Sequence, residues 1–115
     1  MAESFVIALV TAPREVGEPL ARRLVETGLA AAVNVAPGAY SVYRRGDQIE
    51  ERDDAILFVR TVFAALAPLT DVLGELLPYE KVIVLPIEGG SPSYLNWLAD
   101  SVHLPEVSEM PYDLH

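Results

Sequence analysis

Three short segments of this sequence are apolar at every position, and each has the length of a single β-strand. They run from Val6 to Val10, from Ile56 to Val59 and from Val82 to Leu85. A strand whose sheet is covered on one face alternates apolar and polar residues, whereas these segments place apolar side chains on both faces. The sequence therefore predicts a sheet that needs cover on both sides.

The chain is too short to provide both covers. With 115 residues it has the usual size of one domain, and we predict that residues 1–115 form a single domain. The sequence predicts only three helices, which are too few to cover both faces of a four-stranded sheet. We therefore expect a second copy of the chain to provide the missing cover, the alternative being a monomer covered by its own tail and third helix.

The order of the predicted elements indicates the fold. Periodicity and turn residues predict β-α-β-β-α-β followed by a further helix, which is the order of an α+β, ferredoxin-like sandwich. The predicted segments are a strand over Phe5–Thr11, helices over about Val16–Thr27 and Ala65–Leu76, and a third helix that opens at Ser91-Pro92. In the third helix, the inward-facing residues are predicted to be Tyr94, Leu95, Leu98 and Val102.

Between the first two helices the pattern predicts a long β-hairpin. Its first arm, from Ala31 to Arg44, is interrupted by Pro37-Gly38, and the chain turns at Gly46-Asp47. Fourteen extended residues reach ~46 Å at ~3.3 Å per residue, whereas a compact domain of this length is about 35 Å across. The hairpin must bend or overhang, which leaves its apolar residues for a neighbouring copy to bury. These residues are Tyr40, Val42, Tyr43 and Ile49.

Composition argues against several classes of function. The net charge is −9 and Lys81 is the single lysine, so nucleic acid is a poor partner. The absence of cysteine excludes disulfides and thiolate metal sites, which fits a reducing compartment. The N-terminus lacks a basic segment, and no apolar run approaches the ~20 residues of a membrane span. We predict a cytoplasmic protein without a membrane partner.

An ordered set of short segments resembles the CutA family, from Phe5 to about Val102. No single segment is specific, but their order and spacing are those of the family. The matching segments are Val10–Pro13, Leu29–Asn34, Pro37-Gly38, Ser41–Tyr43, Gly46, Ile49–Glu51, Arg60-Thr61, Pro78–Glu80, Leu85–Ile87 and Tyr94–Leu98. The resemblance implies a ferredoxin-like homotrimer that is very resistant to unfolding, with hairpins that run across neighbouring subunits.

The resemblance also implies a role in tolerance of divalent cations, especially copper, with a metal ion or small ligand bound in clefts between subunits. Two residues depart from the family. Ala32 and Leu77 stand where relatives often have a cysteine and a histidine that have been considered copper ligands. Neither side chain coordinates a metal, so we expect weak copper binding, unknown metal ligands and no organic cofactor. Glu80 is followed directly by Lys81, a shortening of about two residues relative to the family.

Six residues are candidates for contact with a ligand in an intersubunit cleft. Each also has a structural interpretation: the amide of Asn34 could fix the bend at Pro37, and Trp97 could belong to the core. The candidates are Asn34, Tyr43, Glu50, Tyr79, Glu80 and Trp97.

Other polar groups have simpler interpretations. Five carboxylates lie close to Arg44, Arg45 and Arg52, and they predict a solvated or salt-bridged hairpin rather than a cation site. These carboxylates are Asp47, Glu50, Glu51, Asp53 and Asp54. His103 and His115 are expected at the surface, and Gly89–Pro92 is expected to form a turn and helix N-cap rather than an anion site.

No recognised catalytic motif is present. There is no cysteine nucleophile, no Gly-x-Ser-x-Gly turn and no histidine placed by sequence beside a serine. We therefore predict that the protein is not an enzyme. Two alternatives stay open: an enzyme whose active site forms between subunits, and a structural or interaction trimer without a metal role.

Overall fold

The computed structural model describes residues 4–77 and 82–104 of the chain. It contains a four-stranded sheet and three α-helices, and short 3₁₀ turns at Arg14–Val16 and Phe63–Ala65 lead into the first two helices. The elements are β1 (Phe5–Pro13), α1 (Gly17–Glu26), β2 (Ala32–Arg45), β3 (Gln48–Val62), α2 (Leu66–Leu76), β4 (Val82–Pro86) and α3 (Pro92–Ser101). None of these helices has the length and apolarity that a membrane span needs.

The sheet has the strand order β2-β3-β1-β4, and each neighbouring pair is antiparallel. Together with the element order, this arrangement confirms the predicted ferredoxin-like fold. The two outer strands, β2 and β4, each leave one side without a strand partner among residues 4–77 and 82–104. The fold therefore ends in two free sheet edges, one of them fourteen residues long.

One face of the sheet packs against α1 and α2 and forms the main core. Along β1, every second residue is buried, beginning with Val6, and the β3 residues on the same face are buried as well. The largest side chains in this core are Val10, Leu20, Leu24, Leu57, Val59, Leu69 and Leu73, all at 0 or 1 % exposure. Helices of this chain therefore complete one side of the sheet.

The opposite side of the sheet, which we call the open face, carries apolar side chains that the described residues leave exposed. Leu9 of β1 lies opposite Phe58 of β3 and Ile83 of β4. Phe58 keeps 37 % of its surface exposed and Ile83 keeps 58 %. The prediction that apolar runs would face both ways is confirmed. Among residues 4–77 and 82–104, α3 reaches the second face at one end, where Leu98 packs on Val62, and it leaves Phe58 and Ile83 uncovered.

The hairpin formed by β2 and β3 extends beyond the helices. A bulge between Pro37 and Ala39 bends it, and Gly38 adopts a φ of 78° that only glycine tolerates well. Gly46, with a φ of 61°, makes the turn at the tip. Both predicted interruptions are confirmed, and the hairpin helps to give the chain an extent of 47 Å.

The third helix packs differently from the prediction. Of its residues, only Leu98 is buried, where it meets Val62 and Ala65 at one end of the sheet. Tyr94 is 37 % exposed, so the prediction that it faces inward was wrong. The reason is position: α3 covers only one end of a sheet face, where Leu98 packs near Val62 and Phe5. Ser91 precedes the helix as predicted, but its side chain makes no capping hydrogen bond.

Candidate functional site

A group of polar side chains lies along the hairpin, and we call it the hairpin cluster. It consists of Tyr43, Arg45, Glu50, Arg52 and Asp54. Tyr43 lies directly opposite Glu50 in the β2–β3 register, and its hydroxyl donates a hydrogen bond of 3.0 Å to Glu50 Oε1. Arg45 Nε lies 2.9 Å from the same oxygen. Two of the predicted ligand residues, Tyr43 and Glu50, are therefore brought together by strand pairing.

Two arginines flank the Tyr43 ring. The guanidinium carbon of Arg45 lies 5.8 Å from the ring centroid, and that of Arg52 lies 5.9 Å away. Arg45 and then Tyr43 hold the pKa of the Glu50 carboxyl below its usual value, because both donate hydrogen bonds to the ionised form. The Glu50 side chain is 39 % exposed, so solvent weakens these interactions. The cluster is an electrostatically matched surface, as predicted for a salt-bridged hairpin.

Asp54 differs from the rest of the hairpin cluster in its burial. It is fully buried, and neither carboxylate oxygen accepts a hydrogen bond from the described residues. Its nearest cation is Arg52, whose Nε lies 3.6 Å from Oδ1. Asp54 sits on the central strand β3, between Pro13 of β1 and Ala39 of β2, and these neighbours exclude water. Of the two predicted alternatives for this carboxylate, solvated or salt-bridged, the structure therefore has the salt-bridged one, with Arg52 as the partner.

A second polar group lies at the other end of β3. Arg60 Nη1 donates a hydrogen bond of 3.0 Å to the hydroxyl of Tyr94 on α3. The Tyr94 ring packs against Trp97 with 5.4 Å between centroids. Trp97 keeps 46 % of its surface exposed, so it does not belong to the core. Sequence reasoning missed Arg60, although a charged residue directly after the apolar run Ile56–Val59 was a usable signal.

The remaining predicted ligand residues do not join these groups. Asn34 is exposed on the open face opposite Phe58, whereas its neighbours Val33 and Val35 pack against the main core. Nine residues separate it from Tyr43, or roughly 30 Å of extended chain. Tyr79 and Glu80 lie outside the described residues. Within one chain the candidates therefore occupy separate places.

The two positions of the family's copper ligands have no metal-binding character here. Ala32 lies opposite Arg60 in the strand register, and Leu77 is 6 % exposed and packs into the main core. The described residues contain no group of three or more histidine, cysteine, aspartate or glutamate side chains that could hold a metal ion. The donor set of a single described chain therefore does not fit a metal centre.

Evidence for a catalytic group is also lacking among the described residues. A hydrogen bond to Glu51 raises the pKa of the Tyr40 phenol, so this group is not activated towards the phenolate form that would act as a base or nucleophile. His103 is exposed, as predicted, and its backbone N–H donates to the carbonyl of Gly28 over 2.7 Å. Between α1 and β2 lies an open groove of about 670 Å³, lined by Glu18, Arg22 and Val25 among others. The groove is an open surface between α1 and the outer strand β2.

Relatives of this chain share both its sequence and its fold. A Xenopus laevis protein described as a CutA homolog is 41 % identical over 102 residues, which are 86 % of this chain and 68 % of that protein. A chloroplastic CutA of Arabidopsis thaliana is 39 % identical over 84 % of this chain and 54 % of its own length. The chain thus spans about two thirds of the length of the first relative and about half of the length of the second.

A solved bacterial structure matches over almost its whole length. The divalent cation tolerance protein of Thermus thermophilus has a TM-score of 0.82 and 35 % identity, covering 86 % of this chain and 99 % of its own. The family model of the CutA1 divalent ion tolerance protein matches residues 6–101, which include every described helix and strand in whole or in part. The Thermus protein and the family model are named for ion tolerance and not for an enzymatic activity. The chain therefore belongs to the CutA1 divalent ion tolerance family.

Proposed function

We propose that this protein is a homotrimer that binds a divalent metal ion or a small ligand between its subunits and acts in divalent-cation tolerance without catalysis. The observation that carries the proposal is the open face of the sheet, whose apolar side chains are exposed in the single chain. The family's divalent-ion tolerance supplies the biological role.

The open face supports assembly because its apolar side chains are contiguous across the sheet. Leu9, Phe58 and Ile83 form one row across three strands, and Ile7 and Leu85 lie in the next row. A soluble protein rarely leaves such a patch in water. The free edges of β2 and β4 offer backbone hydrogen-bonding groups for the same purpose. In a trimer with closed symmetry, each copy would bury its open face and its outer strand edges in the interfaces between subunits.

A site between subunits is supported by the separation of the polar groups. The β3 residues of the hairpin cluster lie six to ten positions before Arg60 on the same strand. The hairpin cluster and the Arg60–Tyr94 pair therefore do not meet in one copy. An overhanging hairpin brings its polar side chains to a neighbour instead. A metal ion held in this protein takes ligands from more than one copy, since the described part of one chain lacks a sufficient donor set.

The assembly is tested by measuring molar mass in solution. Light scattering at micromolar concentration should give about three times the chain mass of 12.5 kDa. Ile83→Asp places a charge on the open face and should yield a monomer that is still folded. Val84→Asp is the matched control, because Val84 is 41 % exposed on the opposite side of the same strand. A monomeric mass for the unmodified protein would refute the trimer.

Metal binding is tested by calorimetry with Cu²⁺, Mg²⁺ and Ca²⁺ on metal-free protein. We expect copper to bind more weakly than to relatives that have cysteine and histidine at the positions of Ala32 and Leu77. The double variant Ala32→Cys with Leu77→His should strengthen copper binding if those positions approach each other across subunits. Tight copper binding that survives His103→Ala and His115→Ala would contradict the expectation.

Cellular location and resistance to unfolding stay predictions. The cytoplasmic prediction is checked by fractionation of the native cell, and the chloroplastic description of the Arabidopsis relative shows that the family is not confined to one compartment. High resistance to unfolding is checked by a thermal melt at two protein concentrations. A trimer melts at higher temperature when it is more concentrated.

A further inference from the structure

Arg60 is a partly buried cation that forms no ion pair with any residue of 4–77 or 82–104. The ion pairs of this region join Arg22 to Glu26, Arg45 to Glu50 and Arg52 to Asp54. The chain has 17 acidic residues against 8 basic ones, so carboxylates are not scarce. Arg14, Arg23 and Arg44 also form no ion pair among the described residues, but they are exposed, whereas Arg60 is partly buried on a sheet face.

The surroundings of Arg60 are apolar. Its direct neighbours in the strand register are Ile7 of β1 and Ala32 of β2, and Leu85 of β4 lies next to Ile7. None of these side chains accepts a hydrogen bond. A guanidinium has five N–H donors, and the acceptor found among the described residues is the hydroxyl of Tyr94, 3.0 Å from Nη1. The guanidinium therefore has further N–H donors that can form hydrogen bonds to another molecule.

The hydrogen bond to Tyr94 places this cation beside an aromatic surface. Tyr94 and Trp97 lie on successive positions of one α3 face, with their rings inclined by 32°. Trp97 is 46 % exposed and Tyr94 is 37 % exposed, so both rings leave surface for contact. An arginine fork recognises a carboxylate or phosphate through paired hydrogen bonds, and an exposed indole favours a flat apolar group.

We propose that Arg60, Tyr94 and Trp97 form a binding site for a small organic anion, a carboxylate or a phosphate monoester that carries a flat apolar group. Arg60 binds the anionic group, Tyr94 holds the guanidinium in place, and Trp97 contacts the apolar group. This chemistry is opposite in charge to a divalent cation. The inference does not depend on the metal role, but it rests on the small-ligand part of the proposed function, because Arg60 lies on the open face and a neighbouring copy in the proposed trimer borders the site.

Trp97 makes the site directly observable, because it is the only tryptophan in the chain. The full chain is titrated with benzoate and, separately, with phenyl phosphate, while Trp97 emission and heat of binding are recorded; EDTA is kept at no more than the protein concentration, since its own carboxylates would otherwise compete for Arg60. Benzamide is the matched neutral probe. We expect saturable binding of at least one anion, and at least about tenfold weaker binding of benzamide, since charge-assisted hydrogen bonds are lost. The two anions distinguish a carboxylate site from a phosphate site.

Variants assign the binding to the three residues. Arg60→Gln should weaken anion binding by about tenfold or more, whereas Arg60→Lys keeps the charge without the fork and should lose less. Arg23→Gln, which changes an exposed arginine of α1, should have no effect. Trp97→Leu should weaken benzoate and phenyl phosphate binding but leave inorganic phosphate unchanged, as measured by calorimetry.

Tyr94→Phe provides a milder variant if Arg60→Gln alters folding or molar mass. It removes the hydroxyl that accepts a hydrogen bond from the Arg60 guanidinium, and it should weaken anion binding a few-fold. The proposal is overturned if neither anion binds saturably, if benzamide binds as tightly as benzoate, or if binding by folded Arg60→Gln or Tyr94→Phe equals that of the unmodified protein. A carboxylate of a second copy seated on Arg60 would produce the first of these results. Because EDTA is present, failure of the metal role does not affect the outcome.

Discussion

The two faces of the sheet differ in what completes them, although the same apolar segments supply both. Leu57 and Phe58 are adjacent in β3 and point to opposite faces. Leu57 is 0 % exposed beneath the helices, whereas Phe58 keeps 37 % of its surface exposed. Both are large apolar residues of one strand, so composition does not distinguish them. Position relative to α1 and α2 decides which residue the chain buries by itself.

The comparison shows that an apolar strand sequence indicates that both faces of the strand must be buried. It does not indicate whether the same chain or another molecule buries each face. On the helical face, the cover is intramolecular and tight. On the open face, Phe58 and Ile83 stay exposed in the described chain, and the proposed trimer would supply their cover. The following predictions test this division, beginning with the largest effect.

Truncating the buried face should be far more costly than a conservative change on the open face. Leu57→Ala should lower the free energy of unfolding by about 2–5 kcal/mol, since it leaves a cavity beneath the helices. Phe58→Leu keeps an apolar side chain and should cost less than about 1.5 kcal/mol. Denaturant unfolding followed by circular dichroism measures both. A smaller loss for Leu57→Ala than for Phe58→Leu would invert the assignment of the faces.

Because α1 packs closely on the sheet, we predict that position 17 does not tolerate a residue larger than glycine. A Cβ at this position would lie 2.8 Å from Ala55 Cβ and 3.3 Å from Val35 Cγ1. Gly17→Ala should therefore destabilise the protein by about 1–3 kcal/mol. Gly89→Ala is the control, because a Cβ at Gly89 meets no atom within 4 Å. Equal thermal stability of the two variants would show that the helical face is looser than described.

The buried carboxylate of Asp54 is the exception to the exposed character of the hairpin. Arg52→Gln removes the nearest cation and should destabilise the chain by about 1 kcal/mol, a value reduced because Arg52 is partly exposed. Arg44→Gln, at an exposed position of the same hairpin, should change stability by less than about 0.5 kcal/mol.

A double-mutant cycle identifies the cause of that loss. Adding Asp54→Asn to Arg52→Gln removes the unpaired buried charge and should recover part of the lost stability. If the two substitutions add without recovery, then the Arg52–Asp54 contact of 3.6 Å contributes nothing measurable.

The smallest effect concerns pH. Arg45 and Tyr43 hold the pKa of Glu50 in the folded chain below its usual value of 4.5. The stabilisation is therefore fully present above about pH 4.5 and is lost as pH falls through the lowered pKa. Carboxyl-detected NMR titration should show that Arg45→Gln raises this pKa more than Tyr43→Phe does. An unchanged value in both variants would mean that the hairpin cluster is open in solution.

Much of the fold was predictable because its signals are local. The apolar runs marked β1, β3 and β4, and Pro37-Gly38 and Gly46 marked the bend and turn of the hairpin through the backbone conformations that they allow. The exposure of Tyr94 and Trp97 was not predictable from helical spacing. That spacing identifies one face of α3 but not how little of the sheet the helix covers.

The candidate site was predictable only in part. Strand pairing brings Tyr43 to Glu50, and a hairpin turn at Gly46-Asp47 was enough to suggest it. The burial of Asp54 and the isolation of Arg60 from every carboxylate of the described chain depend on three strands at once. Contacts of that kind do not appear in the spacing of one segment.

The sequence by itself determined the element order, the hairpin, the membership of the family and the presence of apolar side chains on both faces of the sheet. Only the tertiary structure decided which face the helices cover. It also decided that Asp54 is buried and that Arg60 is partly buried without an ion pair among the described residues. The physical reason is that backbone preference and hydrophobic periodicity act over a few residues. Burial and charge pairing depend instead on residues that the fold brings together from distant parts of the chain.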